Sequence, residues 1–352
     1  MHRPPTERDE SLVEVRDLTK FFDVSKPLLT RVLERQPRQI LKAVSGVNFE
    51  IRRGETFSLV GESGCGKSTV ARLVVGLHTP TRGHIIFDGR DTAAVKTRKE
   101  IAALRRRWQM IFQDPYASLN PRWRVRDIIA EPIRTFRLAK SSSQISDRVG
   151  ELLTQVGLSP DDGEKFPHEF SGGQRQRISI ARALSSEPEF LVCDEPTSAL
   201  DVSVQAQILN LMRDLQRNLG LTYLFISHNL AVVYHVSDKI AVMYLGRLCE
   251  VASAQELFRN PKHPYTRLLL DTIPDLEMTG RQRGPVQGEV PNPIDPPSGC
   301  AFHPRCPFAN DRCRAEVPQL ETHGESTVAC HGVEESRLPD VESPAPVPAV
   351  AS

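Results

Sequence analysis

The sequence predicts an α/β domain built on a largely parallel sheet, followed by a small extension rich in proline and cysteine. Short apolar runs alternate with amphipathic helical patterns up to about residue 260, which is typical of parallel sheets. Of the 27 prolines, 15 lie after residue 260, and four of the seven cysteines fall within residues 300–330. The length of 352 residues also suits two domains, or one large domain with an appendage.

Hydrophobic periodicity places the individual elements of the first part. The predicted strands are Val13–Val15, Val44–Ile51, Phe57–Val60, Phe190–Cys193, Tyr223–Ile226, Ile240–Tyr244 and Leu248–Val251. The predicted helices, in which apolar side chains recur every three or four residues, are Ser68–Leu77, Ile145–Val156 and Val204–Leu219. The last two strands flank Gly246-Arg247, which predicts a hairpin. The Pro- and Ala-rich end from Glu334 predicts disorder.

Composition excludes several classes of protein. Lys+Arg minus Asp+Glu is 45 − 44 = +1, so there is no basic excess to favour nucleic acid. No apolar run approaches the ~18–20 residues of a membrane span, and the N-terminus lacks the apolar segment of a signal peptide. We therefore expect a cytoplasmic protein, in which the isolated Cys65, Cys193 and Cys249 are small buried hydrophobes.

Residues 61–69, GESGCGKST, fit the pattern G-x-x-x-x-G-K-[ST] in full. The segment follows a predicted buried strand and opens a predicted helix, which is the context this phosphate-binding loop requires. Glycines let successive N–H groups point at phosphate oxygens, and the helix N-terminus adds positive potential. We expect Lys67 to reach the β- and γ-phosphates of a nucleotide and Ser68 to ligate Mg²⁺.

A second buried strand, Phe190–Cys193, leads into two carboxylates. Asp194 is the expected Mg²⁺ residue, and Glu195 is placed to polarise a water that attacks the γ-phosphate. A pair of acids at the end of a strand can equally be a helix-capping or loop feature.

Between these two motifs lies HEFSGGQRQRISIARAL, and a lone histidine, His228, follows the strand ending at Ile226. In this order the motifs resemble the nucleotide-binding subunit of an ATP-binding cassette (ABC) transporter over roughly residues 12–251. The resemblance implies a P-loop ABC ATPase cassette with a RecA-like core, an antiparallel β subdomain and a helical subdomain at about 110–185. The expected organisation is a cassette at 1–260, a C-terminal domain with clustered cysteines at 261–333 and a tail at 334–352.

The resemblance also implies roles for individual residues. Gln113 matches the glutamine that lies near Mg²⁺ and the attacking water, and His228 matches the histidine that binds the γ-phosphate. Two cassettes would sandwich two ATP molecules, so that Ser171 and Gly173 contact the nucleotide of the partner. The nucleotide-binding set is Phe22 (or its neighbour Phe21) on adenine, Gly61, Glu62, Ser63, Gly64, Cys65, Gly66, Lys67, Ser68, Thr69, Ser171, Gly172, Gly173, Gln174 and Asp201. Taken singly, Gln113 could be a loop residue, His228 a helix cap and Ser171-Gly-Gly a turn.

Three further segments resemble the ATPases of bacterial dipeptide and oligopeptide importers, in particular the second of their two ATPase subunits. They are QDPYASLNP at 113–121, PHEFSGGQ at 167–174 and PKHPYTRLLL at 261–270. The resemblance implies two permease subunits, a non-identical sister ATPase, an extracytoplasmic substrate-binding protein and a peripheral position on the cytoplasmic face of the inner membrane. Tyr116–Pro121 is the expected permease contact, although a surface loop would also suit these residues. Peptides are the expected substrate, with nickel or glutathione as alternatives.

Cys300, Cys306, Cys313 and Cys330 lie in a segment with little apolar sequence. Disulfides are disfavoured in a reducing cytoplasm, so a metal could substitute for a core. The spacing matches neither common zinc sites nor the ferredoxin pattern. The resemblance to peptide-importer ATPases implies a [4Fe–4S] cluster on the four cysteines. Zn²⁺ with His303, His323 or His331 as substitute ligands, or no metal, stays open.

Two other functions fit a cassette. A soluble translation or DNA-repair ATPase is disfavoured, because this chain has one cassette, no heptad run and no basic face. A structural partner with an inactive site is disfavoured by the presence of Lys67, Gln113, Glu195 and His228.

Overall fold

A computed structural model describes residues 10–34, 37–272 and 289–339. The strands are β1 (Ser11–Asp23), β2 (Ile40–Arg52), β3 (Thr56–Val60), β4 (Arg82–Phe87), β5 (Arg90–Asp91), β6 (Trp108–Ile111), β7 (Phe190–Asp194), β8 (Thr222–Ser227), β9 (Lys239–Tyr244), β10 (Arg247–Ser253), β11 (Glu321–His323) and β12 (Ser326–Val328). The α-helices are α1 (Leu28–Leu33), α2 (Lys67–Val74), α3 (Arg98–Arg107), α4 (Pro115–Ser118), α5 (Val125–Thr135), α6 (Ser142–Gln155), α7 (Gly172–Leu184), α8 (Val202–Leu219), α9 (Leu230–Val236), α10 (Ala254–Arg259), α11 (Pro264–Asp271), α12 (Asp311–Ala315) and α13 (His331–Glu334).

The chain divides into two compact units, each made of separate stretches of sequence. Among the described residues, the first unit contains 10–12, 51–56 and 87–227. The second unit contains 13–50, 57–86, 228–272 and 289–339.

The first unit holds three adjacent parallel strands in the order β6-β7-β8. All residues of β7 and β8 are buried, which is why their sequences read as continuous apolar runs. Helices α5, α6 and α7 pack on one another in the same unit. The predicted strands at 190–193 and 223–226 and the predicted helix at 145–156 are confirmed.

An ionic network joins the amino ends of β6 and β7. The guanidinium of Arg107 contacts Glu189 at 2.7 Å, and Arg53 contacts the same carboxylate at 3.0 Å. The Glu189 amide also donates to the Arg107 carbonyl oxygen at 2.8 Å. Hydrogen bonding from Arg107 lowers the pKa of Glu189, which favours the charged form of the carboxylate. The network fixes the register that carries Asp194 at the opposite, carboxyl end of β7.

The second unit contains a mixed set of strands in the order β11-β12-β10-β9-β3. Strand β3 pairs with β9 in parallel, and β9 pairs with β10 as an antiparallel hairpin. The turn contains Gly246 at a φ of 81°, a conformation that glycine adopts without strain. The hairpin predicted around Gly246-Arg247 is confirmed.

Strand β1 is longer than the three residues predicted from the sequence. It extends over 13 residues from Ser11 to Asp23, and lies between β2 and β4. After Val15 the apolar alternation is interrupted, because Arg16 is exposed and Asp17 has a φ of 49°, although Leu18 and Thr19 are buried again. Periodicity therefore detects only the regular first part of the strand.

The Pro- and Cys-rich extension continues the sheet of the second unit. Strand β12 pairs antiparallel with β10, opposing Val328 to Glu250, and the Ala329 amide donates to the Cys249 carbonyl oxygen at 2.8 Å. Phe302 is 2% exposed and packs on the rings of Tyr244 and Tyr265. The extension therefore has an apolar anchor that its composition did not reveal.

The end of the extension is described up to residue 339. Arg337 donates to the Phe308 carbonyl oxygen at 2.9 Å, and the side chain of Leu338 lies over Gly332. The structure thus describes the first six residues of the segment predicted to be disordered, and residues 340–352 lie outside the described residues.

The longest described helix, α8, has 18 residues and includes Arg213, Asp214 and Arg217. Across residues 10–34, 37–272 and 289–339, no helix has both the length and the apolar character that crossing a bilayer requires.

Candidate nucleotide-binding site

The predicted phosphate-binding loop connects β3 to α2. Every residue of β3 is buried, and α2 begins at Lys67 with Gly66 at its N-cap. The loop is therefore fixed at one end by a buried strand and at the other by a helix N-terminus, the end of a helix that favours anions.

Two glycines of this loop lie against neighbouring backbone. A Cβ on Gly61 would lie 2.2 Å from the Met243 carbonyl oxygen, and one on Gly66 would lie 2.2 Å from the Ala43 carbonyl oxygen. Both glycines have positive φ, 152° and 109°. The path of the loop thus depends on side-chain-free backbone at these positions.

Lys67 curls back into the loop that precedes it. The residue is 5% exposed, and its Nζ donates to the carbonyl oxygens of Gly61 at 2.7 Å and Glu62 at 3.0 Å. These bonds compensate the cost of burying an ammonium group. They also place a positive charge inside the loop, where phosphate oxygens could accept from it.

The first unit positions the second predicted motif. Asp194, 3% exposed, ends β7, and Glu195 follows it at a φ of 48°. The Glu195 amide donates to the Ile226 carbonyl oxygen at 3.0 Å, which holds this left-handed backbone in place. A non-glycine residue in this conformation is strained, and such strain is concentrated at functional sites.

Gln113 and Glu195 meet although 82 positions separate them in the sequence. The Gln113 side-chain amide donates to a Glu195 carboxylate oxygen at 3.1 Å. A carboxylate held by an amide can orient a water molecule and accept its proton.

Ser171 is the N-cap residue of α7. Its hydroxyl accepts from the Gln174 amide, and the Gln174 side chain accepts from the Ser171 amide at 3.0 Å, which forms a capping box. Gly173 lies against α8, because a Cβ there would be 2.4 Å from the side chain of Val204. Ser171 itself is exposed, so the N-terminus of this 13-residue helix is open to a binding partner.

The remaining predicted residues lie at the starts of helices or on strand ends. Asp201 is the N-cap residue of α8 but makes no side-chain capping bond. His228 is exposed and precedes Asn229, whose side chain caps α9 by accepting from the Ala231 amide at 3.0 Å. The helix-cap alternative for His228 is therefore wrong. Phe22 contacts His78 edge-on, with ring centroids 5.5 Å apart, while Phe21 is 37% exposed.

Sequence reasoning missed the residues that hold Glu62. Both guanidinium nitrogens of Arg305 contact the two Glu62 carboxylate oxygens, at 2.7 and 3.0 Å. The Glu62 amide also donates to the Tyr265 hydroxyl at 2.9 Å. Arg305 lies 243 positions from Glu62, and no motif links the two.

The four clustered cysteines line one cavity of the second unit. The other lining residues include His263, His303, His331 and the aromatic rings of Phe302 and Phe308. Burial raises the pKa of Cys300 to about 12 and that of Cys306 to about 11. Within the described ranges, no group of three or more His, Cys, Asp or Glu side chains is arranged to hold a metal ion.

Two of the histidines considered as zinc ligands have other contacts. The ring nitrogens of His331 lie 3.4 Å from a Glu334 carboxylate oxygen and 3.1 Å from the Glu316 carbonyl oxygen. Nδ1 of His303 lies 3.0 Å from the Cys300 carbonyl oxygen.

A glycine loop between a buried strand and a helix, together with a buried strand that ends in two carboxylates, defines a P-loop ATPase. Comparison with family models narrows this class: residues 44–198 match the ABC transporter family, and residues 249–313 match the oligopeptide/dipeptide transporter C-terminal region. The chain belongs to the ABC transporter family, in the group whose members carry this C-terminal region.

The sequences of curated relatives match this chain over nearly their whole length. The oligopeptide transport ATP-binding protein AppF of Bacillus subtilis is 48% identical over 92% of this chain and 97% of its own. The di/tripeptide transport ATP-binding protein DppF of Pseudomonas aeruginosa is 47% identical over 93% and 99%. The oligopeptide transport ATP-binding protein OppF of Escherichia coli is 47% identical over 92% and 97%.

Solved structures show the same cassette fold. CbiO1 of Clostridium perfringens, part of an ABC transporter complex, superposes with a TM-score of 0.59 at 28% identity, over 71% of this chain and 91% of its own. A dimeric ATP-binding cassette bound to ADP and Pi gives a TM-score of 0.59 at 27% identity, over 69% and 98%. The predicted fold class, a P-loop ABC ATPase cassette with a C-terminal extension, is confirmed.

The glycine contacts predict different outcomes for two alanine substitutions in the loop. Both Gly66→Ala and Gly64→Ala place a side chain at positive φ, but only the first meets backbone, since nothing lies within 4 Å of a Cβ on Gly64. We expect Gly66→Ala to lower the free energy of unfolding by about 2 kcal/mol more than Gly64→Ala does. Urea unfolding of the two variants measures the difference, and equal losses would contradict the close approach to Ala43.

Proposed function

We propose that this chain hydrolyses ATP to power the import of oligopeptides or dipeptides through an ABC permease. The observation that carries the proposal is the combined match to a cassette and to an oligopeptide/dipeptide transporter C-terminal region, at 47–48% identity to three peptide-transport ATP-binding proteins. Among the relatives compared, none favours the nickel, glutathione or non-transport alternatives.

In the second unit, the loop 61–69 would hold the phosphates of ATP. The buried Lys67 ammonium supplies charge, and the amides that open α2 supply donors. The Ser68 hydroxyl offers Mg²⁺ an oxygen ligand of the kind it prefers. We assign adenine stacking to Phe22 and the γ-phosphate contact to His228 by family resemblance.

In the first unit, Glu195 would act as the general base for the attacking water. Its contact with Gln113 supports this role, because the amide fixes the carboxylate that must accept the proton. The buried Asp194 supplies a carboxylate for the Mg²⁺ shell. Mg²⁺, when bound, neutralises charge that develops on the phosphate oxygens.

A second cassette, which we propose to be a non-identical sister, would complete the ATPase. The N-terminus of α7 supports this arrangement, because Ser171 is exposed and Gly173 is half-exposed, so a nucleotide held by another chain could reach them. Asp201 at the start of α8 would lie in the segment that links the two sites. ATP binding would close the pair and hydrolysis would reopen it.

The permease would bind at residues 116–121 and the aromatic residues beside them. Tyr116 is 64% exposed, and Phe112 and Trp123 are also exposed. The guanidinium of Arg175, a buried residue of α7, lies 3.7 Å from the centre of the Tyr116 ring. A force on Tyr116 would therefore reach α7, the helix that Ser171 caps. Peptides would be delivered by an extracytoplasmic binding protein, and this chain would lie peripherally on the cytoplasmic face of the membrane.

The cysteine-lined cavity would hold a [4Fe–4S] cluster. Four thiols that line one cavity, with aromatic side chains around them, supply the ligand type and the water-poor environment of such clusters, although among the described residues they are not arranged to hold a metal ion. The contacts of His303 and His331 with protein oxygens weigh against the Zn²⁺ alternative, which would recruit these rings. The cluster, when bound, would tie four separate positions of the extension together.

Glu195→Gln tests the catalytic assignment. We expect ATP binding to be retained and hydrolysis to fall by about 10²–10⁴-fold, because the amide cannot accept the proton. Phosphate release and nucleotide titration measure the two effects. Lys67→Ala should lose binding, and Glu151→Gln on the exposed face of α6 should change neither. Undiminished turnover in Glu195→Gln would refute the assignment.

Substitution of the exposed aromatic side chains tests the permease contact. A double variant, Tyr116→Ala with Trp123→Ala, should lose co-purification with the membrane permease subunits by at least about tenfold, since aromatic anchors dominate interface energy. Leu219→Ala, which removes an exposed apolar side chain at the end of α8, should retain it. Retention by the double variant, or association with ribosomes or DNA in place of a permease, would count against the proposal.

Anaerobic purification tests the cluster. We expect a coloured protein with about four iron and four sulfide per chain, and loss of both on Cys313→Ser. Cys193→Ala, which changes a buried cysteine of β7, should keep them. Colourless protein without iron would end the cluster proposal, and stoichiometric zinc would favour the alternative metal.

A further inference from the structure

The C-terminal extension reaches the phosphate-binding loop through one buried ion pair. The Arg305 side chain is 2% exposed and the Glu62 side chain 26% exposed. The two groups form a bidentate pair, the geometry in which Arg binds a carboxylate with the greatest specificity. Such a pair loses little to solvent screening, unlike the exposed ion pairs elsewhere on the chain.

The ion pair with Glu62 is the main interaction that offsets the cost of burying the Arg305 guanidinium. Its guanidinium otherwise contacts the Tyr244 hydroxyl at 3.4 Å and lies 5.8 Å from the ring centres of Tyr244 and Phe302. Its Nε is buried and has no hydrogen-bond partner among the described residues. Removal of the carboxylate would leave a buried charge that these contacts only partly balance.

Glu62 is in turn held at three points, two of them from the extension. Arg305 binds its side chain, and the Tyr265 hydroxyl accepts from its amide at 2.9 Å. Its carbonyl oxygen accepts from Lys67 Nζ at 3.0 Å. The backbone of Glu62 therefore connects the arginine to the lysine that we assign to the phosphates.

The turn that carries Arg305 belongs to the cysteine-lined cavity. The His303 amide donates to the Cys300 carbonyl oxygen at 3.0 Å, and the Arg305 amide donates to that of Phe302 at 3.0 Å. Cys306 follows directly and lines the cavity with Cys300. The position of Arg305 is thus set by the same turn that places two of the four cysteines.

We propose that Arg305 is a positioning residue for the phosphate-binding loop, through which the extension sets the affinity of the cassette for ATP. It acts through Glu62 and touches no nucleotide in this role. The inference rests on the proposed function of the loop as the ATP site.

The test is a double-substitution cycle on the full-length chain with Arg305→Met and Glu62→Gln. Calorimetric titration with the slowly hydrolysed analogue ATPγS, in the presence of Mg²⁺, gives the dissociation constant, and steady-state ATPase gives KM and kcat. We expect Arg305→Met to raise the dissociation constant and KM by about five- to tenfold and to change kcat by less than about twofold. In the Glu62→Gln background the same substitution should have no further effect on the dissociation constant.

Arg305→Lys, which keeps the charge but cannot bind both oxygens, should lie between wild type and Arg305→Met. Arg314→Met is the matched control, because this exposed arginine of the extension pairs with Asp311, three residues away. It should bind ATPγS like wild type. If Arg305→Met does not fold, Glu62→Gln and Arg305→Lys still measure how much affinity for ATPγS is lost when either partner of the ion pair is changed.

The outcomes separate the inference from the function on which it rests. Wild-type protein that does not bind ATPγS would refute the proposed function. Only the inference would be refuted if wild type binds ATPγS, Lys67→Ala does not, and Arg305→Met leaves the dissociation constant unchanged. Equal effects of Arg305→Met with and without Glu62→Gln would assign Arg305 a general structural role and would also overturn it.

Discussion

The close approach of two glycines to neighbouring strands determines the backbone path of the phosphate-binding loop. Gly61 and Gly66 lie against the carbonyl oxygens of Met243 and Ala43, where a Cβ would be 2.2 Å away. This packing fixes the curl of the backbone, and the curl allows Lys67 to bond the carbonyl oxygens of Gly61 and Glu62. A buried ammonium group is tolerated only because the loop supplies these acceptors. The loop, the lysine and the start of α2 are therefore one structural element.

In the first unit, the buried strand β7 fixes the position of the acidic residues. Strand β7 is buried along its whole length, between β6 and β8, and the network of Arg107, Glu189 and Arg53 holds its amino end. Its carboxyl end then presents Asp194 and the strained Glu195 at a fixed position. Rigid support of this kind allows the amide of Gln113 to orient the carboxylate.

The extension is more closely tied to the second unit than its composition suggests. It adds β12 to the edge of β10, inserts Phe302 between aromatic rings and places Arg305 on Glu62. The buried Glu250 shows the same integration, since it accepts from the amides of Lys262 and His263 at 2.9 Å. Four cysteines then share a cavity inside this attachment. The region that contains this cavity also contacts the loop at residues 61–69.

The sequence by itself determined the α/β fold, the hairpin at Gly246, the phosphate-binding loop and the acidic strand end. These features are local: apolar periodicity, glycine spacing and strand–loop–helix order each lie within one short segment. Periodicity underestimated β1 and omitted β6 and the short strands of the extension, because partly exposed or three- to four-residue strands carry little pattern.

Only the tertiary structure decided that Gln113 meets Glu195, that Asn229 caps α9, and that the cysteines share one cavity. It also decided that Glu62, a residue inside a recognisable motif, pairs with an arginine 243 positions away. Such contacts depend on how distant segments pack, and no local spacing encodes them.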